Sequence, residues 1–317
     1  MKLYWVRILT VYISRTHEEA FRCIEREVLR EKRIIIKINM VSPHILLCMT
    51  PPDAVEALLD YLRNDLEYNG EIVIAEGSAG DTWLGFRRGG FDKIARRYDA
   101  ELYNIHEDSY YLVDIFDREF NSFKIPISKL LTDNMVISIC RVKTHDTVIV
   151  TLSIKNVAVG GIVGVDNRPL IHQGYKAINL NIAILAAMMY PRVAIVDGRA
   201  CMEGNGPVYG SEKEWGFIFS GLNPLEVDAV VVCGMTLDPR DVGYIYYLEK
   251  LGFGNLKEVA TEGCTMDVIS TKFKMHDLFR EQLKWRLDKE EERVVLEKIR
   301  EILRRHGKHI VIPSSLA

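Results

Sequence analysis

Four short apolar runs constrain this chain more than anything else in it: "IIIKIN" at 34–39, "EIVIA" at 71–75, "VISIC" at 136–140 and "VAIVDG" at 193–198. Each is rich in β-branched residues and has little polar alternation, so each reads as a strand covered on both faces. Between the first two lies "TPPDAVEALLDYLRND", where Pro51 in the first turn and Asp53 three residues after Thr50 mark a helix start. Strand, helix, strand in that order is the crossover unit of a parallel sheet. The expected fold is therefore α/β, with a mainly parallel or mixed sheet, helices on both faces, and one or two lobes.

The rest of the chain fits around that frame. "MKLYWVRILTVYIS" reads as a first strand, and Thr16 with Glu19 forms a capping box ahead of Ala20, Phe21, Ile24, Val28 and Leu29 at helical spacing. "SYYLVDIF" and "FKIPIS" flank "DREFNS" as a hairpin, and "INLNIAILAAMMY" is a helix stopped by Pro191. "NPLEVDAVVVCGM" and "DVGYIYYLEKLGFG" are read as helices, the second ended by Gly252. Residues 1–270 form the α/β domain, with a soft internal boundary near 130–140. Residues 271–317 are a helical extension whose apolar positions Leu283, Leu287, Val294, Leu296, Ile299, Ile302 and Leu303 predict one or two helices packed on the body and ending at Gly307.

Composition removes several function classes. Forty-one Lys and Arg against 44 Asp and Glu leave a formal charge of -3, so no overall basic field points to a nucleic-acid partner. Arg7 interrupts the N-terminal apolar stretch, no small-residue cleavage site follows it, and other apolar runs fall short of the roughly 20 residues that span a bilayer. A cytoplasmic location without a membrane partner is expected. The six cysteines are scattered with no C-x-x-C pair, so no iron–sulfur or zinc motif is written locally. They read as buried thiols, or as ligands assembled between chains. There is no G-x-x-x-x-G-K-[ST] loop, proper G-x-G-x-x-G or G-x-S-x-G elbow.

Polar residues collect where the apolar runs end: Lys37 and Asn39; Glu76, Gly77 and Ser78; Lys143, Thr144 and His145; Asp197 and Glu203. In open α/β sheets ligands bind beyond strand carboxyl ends, so parallel neighbours would bring these groups to one rim. Lys155 and Asn156 precede Gly160 and Gly161, with His172 beyond. Together they supply ammonium, carboxamide and backbone donors for a phosphate or carboxylate, or else are a surface lysine and a turn asparagine. In "CMEGNGP", Gly204 and Gly206 permit positive φ and close backbone approach. The turn they make with Asn205 either cradles an anion beside Glu203 or is a tight turn with a solvated or capping carboxylate. His145, His172, Asp197 and Glu203 form a candidate set for a divalent metal such as Zn, Mn, Fe or Ni. Without a metal, His145 or His172 beside Glu203 supplies acid and base while a lysine holds the substrate. Asp228, inside an apolar helix, must cap something or pair with Lys155.

With "RVKTHDTVIVTLSIKNVAVGGIVG", "IHQG", "VDGRACMEGNGP" and "NPLEVDAVVVCGM" in this order and spacing, the chain resembles the family known as domain of unknown function 362, over roughly residues 34 to 260. The resemblance implies that Lys143, Thr144, His145, Lys155, Asn156, His172, Asp197, Glu203, Gly204, Asn205, Gly206, Pro207 and Asp228 are the motif positions. It also implies kinship with chains that carry ferredoxin-like [4Fe–4S] modules, and a distant similarity to the lactate-racemase-like group, which handles 2-hydroxy acids with a nickel cofactor. This sequence departs from the first pattern, having no Cys-rich module. Three readings follow: an enzyme acting on a small anionic metabolite, an iron–sulfur-associated accessory protein with a redox partner, or a non-catalytic binding or assembly module. The sequence leaves the oligomeric state open.

Overall fold

The four apolar runs become four adjacent parallel strands at the centre of one sheet. In the computed structural model, which describes residues 10–307, the strands are β1 (Thr10–Ser14), β2 (Arg33–Lys37), β3 (Glu71–Glu76), β4 (Glu101–Asn104), β5 (Tyr110–Phe116), β6 (Ser122–Ser128), β7 (Met135–His145), β8 (Ile149–Thr151), β9 (Val193–Glu203), β10 (Ser211–Gly221) and β11 (Ala260–Gly263). Nine of them form a mixed sheet in the order β11-β1-β10-β9-β7-β2-β3-β4, with β8 paired to β7; β5 and β6 form a separate hairpin. Ile36 lies opposite Ile74 on one side and Ile137 on the other.

Strand alternation divides the core in two. Ile34 and Ile36 of β2, with Val193 and Ile195 of β9, face a cluster that includes Phe21, Val55 and Phe86. Ile35, Ala194 and Val196 face the larger cluster, with Val157, Ile182, Val231 and Ile299. Period-two geometry thus covers both faces with helices, as continuous apolar strands require. The helices at Pro52–Asp60 and Thr82–Arg88 lie on the first face, and those at Ser153–Gly160, Gly174–Met188 and Pro224–Gly234 on the second.

Several local expectations change. The helix foreseen after Thr16 is two short ones, His17–Phe21 and Glu25–Val28. β9 does not stop at Gly198 but runs on to Glu203, because Cys201 and Met202 are buried and β10 continues the antiparallel ladder beside them. Of the predicted first strand, Thr10–Ser14 is seen and residues 1–9 lie outside the described residues. The last helix, Lys289–Arg305, is capped by Asp288 and buries Val295, Leu296, Ile299, Ile302 and Leu303. Val294, expected inside, is 42% exposed, and Trp285 is instead the buried anchor, donating from Nε1 to Asp241 O at 2.7 Å. The suggested boundary near 130–140 overlaps the start of β7, which pairs with β2 in the same sheet. Among the described residues no helix is long and apolar enough to cross a membrane.

The strand order places a site. From β2 the chain moves outward through β3 to β4, whereas β7 and β9 lie on the opposite side of β2. The topology therefore reverses between β2 and β7, where crossover loops diverge and leave a crevice beyond the strand ends. The helix Ser153–Gly160 crosses behind that crevice, and Asp228 fixes its start. The buried carboxylate accepts from Ser153 N at 3.0 Å, Ser153 Oγ at 2.6 Å and Ile154 N at 3.0 Å. It caps this helix and does not pair with Lys155. Asp228→Ala strands these buried donors and should lower stability by about 2–4 kcal/mol, read from urea unfolding; an unchanged midpoint would show that the cap contributes nothing.

Candidate functional site

Alternation along β2 turns Ile35 and Lys37 toward the Ser153–Gly160 helix, so Lys37 enters the protein with its ammonium fully buried. Lys37 Nζ donates to Glu76 Oε2 at 2.5 Å, Ile38 O at 2.6 Å and Asn156 Oδ1 at 3.1 Å. Gly160 makes room for it, since a Cβ there would lie 2.5 Å from Nζ. Asn156 also donates to Ser138 Oγ at 3.0 Å and Lys37 O at 3.1 Å, and accepts from Asn39 Nδ2 at 3.1 Å. Its two donors and its carbonyl are thus all engaged by protein. Lys143 donates to Asn39 Oδ1 and to Cys48 O at 2.8 Å, and burial pulls its pKa down to about 8. Asn156 locks the sheet to the helix and also lines the cavity, whereas Lys143, expected to bind ligand, instead ties β7 to Asn39 and Cys48.

In front of this network, at the carboxyl ends of β2 and β7, lies a cavity of about 470 Å³. Its polar lining comprises Lys155, Arg168, His145, His172, Asp146, Asp166, Asn39, Asn156 and Thr151, and Val41, Val159, Val165, Pro169 and Pro207 form its apolar walls. Lys155 is only 8% exposed, and among the described residues its ammonium has no hydrogen-bond partner. Burial first, then the charges of Arg168 and Lys143, lower its pKa to about 7, against the pull of Asp146. Arg168 sits in the 3₁₀ turn Val165–Ile171 and donates to Gly77 O at 2.5 Å, which leaves most of its fork uncommitted.

The two histidines differ. His145 is buried; its Nδ1 accepts from Thr147 N at 3.0 Å and lies 2.9 Å from Asp146 Oδ1. Burial, then the charge of Lys155, pulls its pKa down to about 3, so the ring is neutral. His172 is exposed at the mouth, and its pKa is also lowered, by desolvation and then by Lys155. Burial would raise the Asp146 pKa, but His145, Thr147 and Lys155 together hold it below the usual carboxylate range.

The predicted metal set is not assembled. Asp197 shares its strand face with Val193 and Ile195, so it points through the sheet away from the Ser153–Gly160 helix. There it binds Arg199 Nη2 at 2.7 Å and lies 3.4 Å from His17 Nε2. Glu203 accepts from Lys274 N at 2.9 Å, beyond the cavity lining. Among the described residues no three His, Cys, Asp or Glu side chains gather to hold a metal ion.

The glycine turn is not an anion cradle either. Gly204, at φ +77°, donates its N–H to Lys274 O at 2.7 Å, and Gly206 N donates to Gly204 O at 2.9 Å. Asn205 bonds Asp277 through both amide atoms, at 2.9 and 3.1 Å. Thr144 Oγ1 donates to Gly204 O at 2.9 Å, and a Cβ on Gly206 would meet Thr144 O at 2.3 Å. The turn packs flat on β7 and clamps the C-terminal segment. Only Pro207 of the motif reaches the cavity.

Sequence reasoning brought His145, Lys155, Asn156 and His172 to one place, and Lys37 with Glu76 to one rim. It missed Asp146 and Arg168 as lining groups, although "THD" and "DNRP" contain them. It also missed His106, whose Nε2 lies 2.7 Å from Ser78 O behind the rim, and nothing in its local sequence signals this. His106 Nδ1 and Glu76 Oε1 are buried without hydrogen-bond partners. The six cysteines are free thiols in separate places.

This polar crevice at the switch point lies within a known sequence family. The chain belongs to the domain of unknown function family DUF362, whose model matches residues 34–233, from β2 to the helix that bears Asp228. It is similar to a thylakoid-associated protein, sll1697, of Synechocystis sp., at 23% identity over 227 residues, covering 69% of this chain and 68% of that protein.

The buried pair makes a test of the scaffold. Lys37→Met leaves Glu76 uncompensated and should cost about 3–5 kcal/mol, while Lys37→Met with Glu76→Leu should recover most of that loss. Guanidinium unfolding of the four proteins measures the coupling, and additive losses would show that the two do not act as a pair.

Proposed function

We propose that this protein is an enzyme acting on a small anionic metabolite, bound in the crevice between β2 and β7 and worked on by acid–base groups of the chain. The observation that carries the reading is Lys155: a residue only 8% exposed, whose ammonium has no hydrogen-bond partner among the described residues and faces a cavity that it shares with Arg168. Burying a cation without a partner is unfavourable, and an anionic ligand would supply the missing acceptor. Arg168 remains charged at any working pH and offers a planar fork to a carboxylate or phosphate. His172 at the mouth can receive and return protons, while Asp146 stays an ionised carboxylate on the wall. A cavity of about 470 Å³ suits a metabolite rather than a polymer. A cytoplasmic setting remains part of this proposal.

Sulfate is the probe of choice, because its charge is constant through neutral pH. Calorimetry should show one site, weakened roughly 10- to 100-fold in Lys155→Met, the range expected for losing a hydrogen bond to a charged group. Affinity should fall as pH rises through about 7 and above, because Lys155 then loses its proton. The free protein shows the opposite trend. The folded pKa lies below the ordinary 10.5, so between about 7 and 10.5 the unfolded chain holds more protons, and this group makes stability rise with pH. Sulfate affinity unaltered in both Lys155→Met and Arg168→Met would sink the assignment.

A further inference from the structure

We infer that Lys155 is a nucleophile that forms an imine with its substrate, and that the substrate class is therefore a small 2-oxo or aldehyde acid. This deepens the anion-site reading above and rests on it.

Three buried lysines surround the crevice, and their bonding separates their roles. Lys37 is tied to Glu76, Ile38 O and Asn156, and Lys143 to Asn39 and Cys48 O. Both are structural cations whose lone pairs are committed to protons. Of the three, Lys155 is the one with no acceptor among the described residues, so neither an ion pair nor a carbonyl there favours its protonated form. Its position in the first turn of the Ser153–Gly160 helix adds the positive end of the helix dipole. Apolar Val41, Val159 and Val165 line the same space. Arg168 and Lys143 add like charge, and the proton is correspondingly weakly held. These are the surroundings that turn a lysine from a binding cation into an amine nucleophile. Arg168 supplies a second positive charge for the substrate's anionic group, which holds that group when Lys155 has given up its proton.

The step balances without an oxidant or reductant. The Nζ lone pair forms the C–N bond while the carbonyl π electrons move to oxygen, which takes up a proton. The nitrogen sheds a proton to His172, leaving a carbinolamine. Transfer of a proton to its hydroxyl releases water as the C=N bond forms, giving a protonated imine; the sum is amine, carbonyl and one proton in, iminium and water out.

The test uses the full chain with glyoxylate and cyanoborohydride at neutral pH, read by intact mass and peptide mapping. The expected result is a single reduced adduct on Lys155, suppressed by excess sulfate. In Lys155→Arg, which should still bind sulfate, its yield should fall by roughly tenfold or more. Sulfate binding with no adduct at Lys155, or with an equal adduct yield in Lys155→Arg, overturns the imine and leaves the anion site standing. Failure of the wild-type chain to bind either probe overturns both.

Discussion

The buried Lys37–Glu76 pair, with Asn156 on its other side, is the contact on which the crevice depends. Lys37 ends β2, Glu76 ends β3, and Asn156 lies on the helix that follows β8. Their hydrogen bonds therefore join two strands and the layer above them at the switch point. An apolar contact could hold these elements at the same distance but not in a unique register. Taking two charges out of water is unfavourable by several kcal/mol per ion, and the arrangement persists because nearly every donor is met. Asn156 is central to this, since it receives from Lys37 and Asn39 and gives to Ser138 and the backbone.

That network also fixes what the next residue can do. One position along the same helix, Lys155 leaves the face occupied by Asn156 and projects into the cavity. Asp228 anchors the first turn of this helix from the neighbouring one, so the lysine stem starts from a rigid base. Two satisfied lysines and one unsatisfied lysine within one crevice separate scaffold from chemistry. The satisfied ones hold strands together, and the other has its polar capacity free for something that arrives.

The fold was legible because its signal is local. "IIIKIN", "EIVIA", "VISIC" and "VAIVDG" announce buried strands, and the helix between the first two imposes parallel order. The rim followed from the rule that parallel strands end together, which brought Lys37, Glu76 and His145 to one side. What alternation decides was harder to read. Asp197 ends an apolar run of the same kind as those before the other candidates, yet it sits an odd number of residues from Val196 and so faces the opposite layer. The glycines of "MEGNGP" were read correctly as allowing close approach. What approaches is the backbone of Thr144 and the segment around Lys274, two partners that no local pattern reveals.

The clamp made by that turn has a consequence for the site itself. Asn205 and Glu203 hold residues 274–277 against the end of β9, and a few residues on, Gln282 donates to His145 O at 2.6 Å. The C-terminal extension thus braces the last residue of β7, whose ring and neighbour Asp146 line the cavity. A motif that reaches the crevice only through Pro207 still positions it, through chain that lies outside the matched 34–233 span. Such residues are constrained by geometry as tightly as a ligand-contacting group would be. This explains how Glu203 and Asn205 can carry the look of a binding loop while the unsatisfied cation sits on the helix behind Pro207.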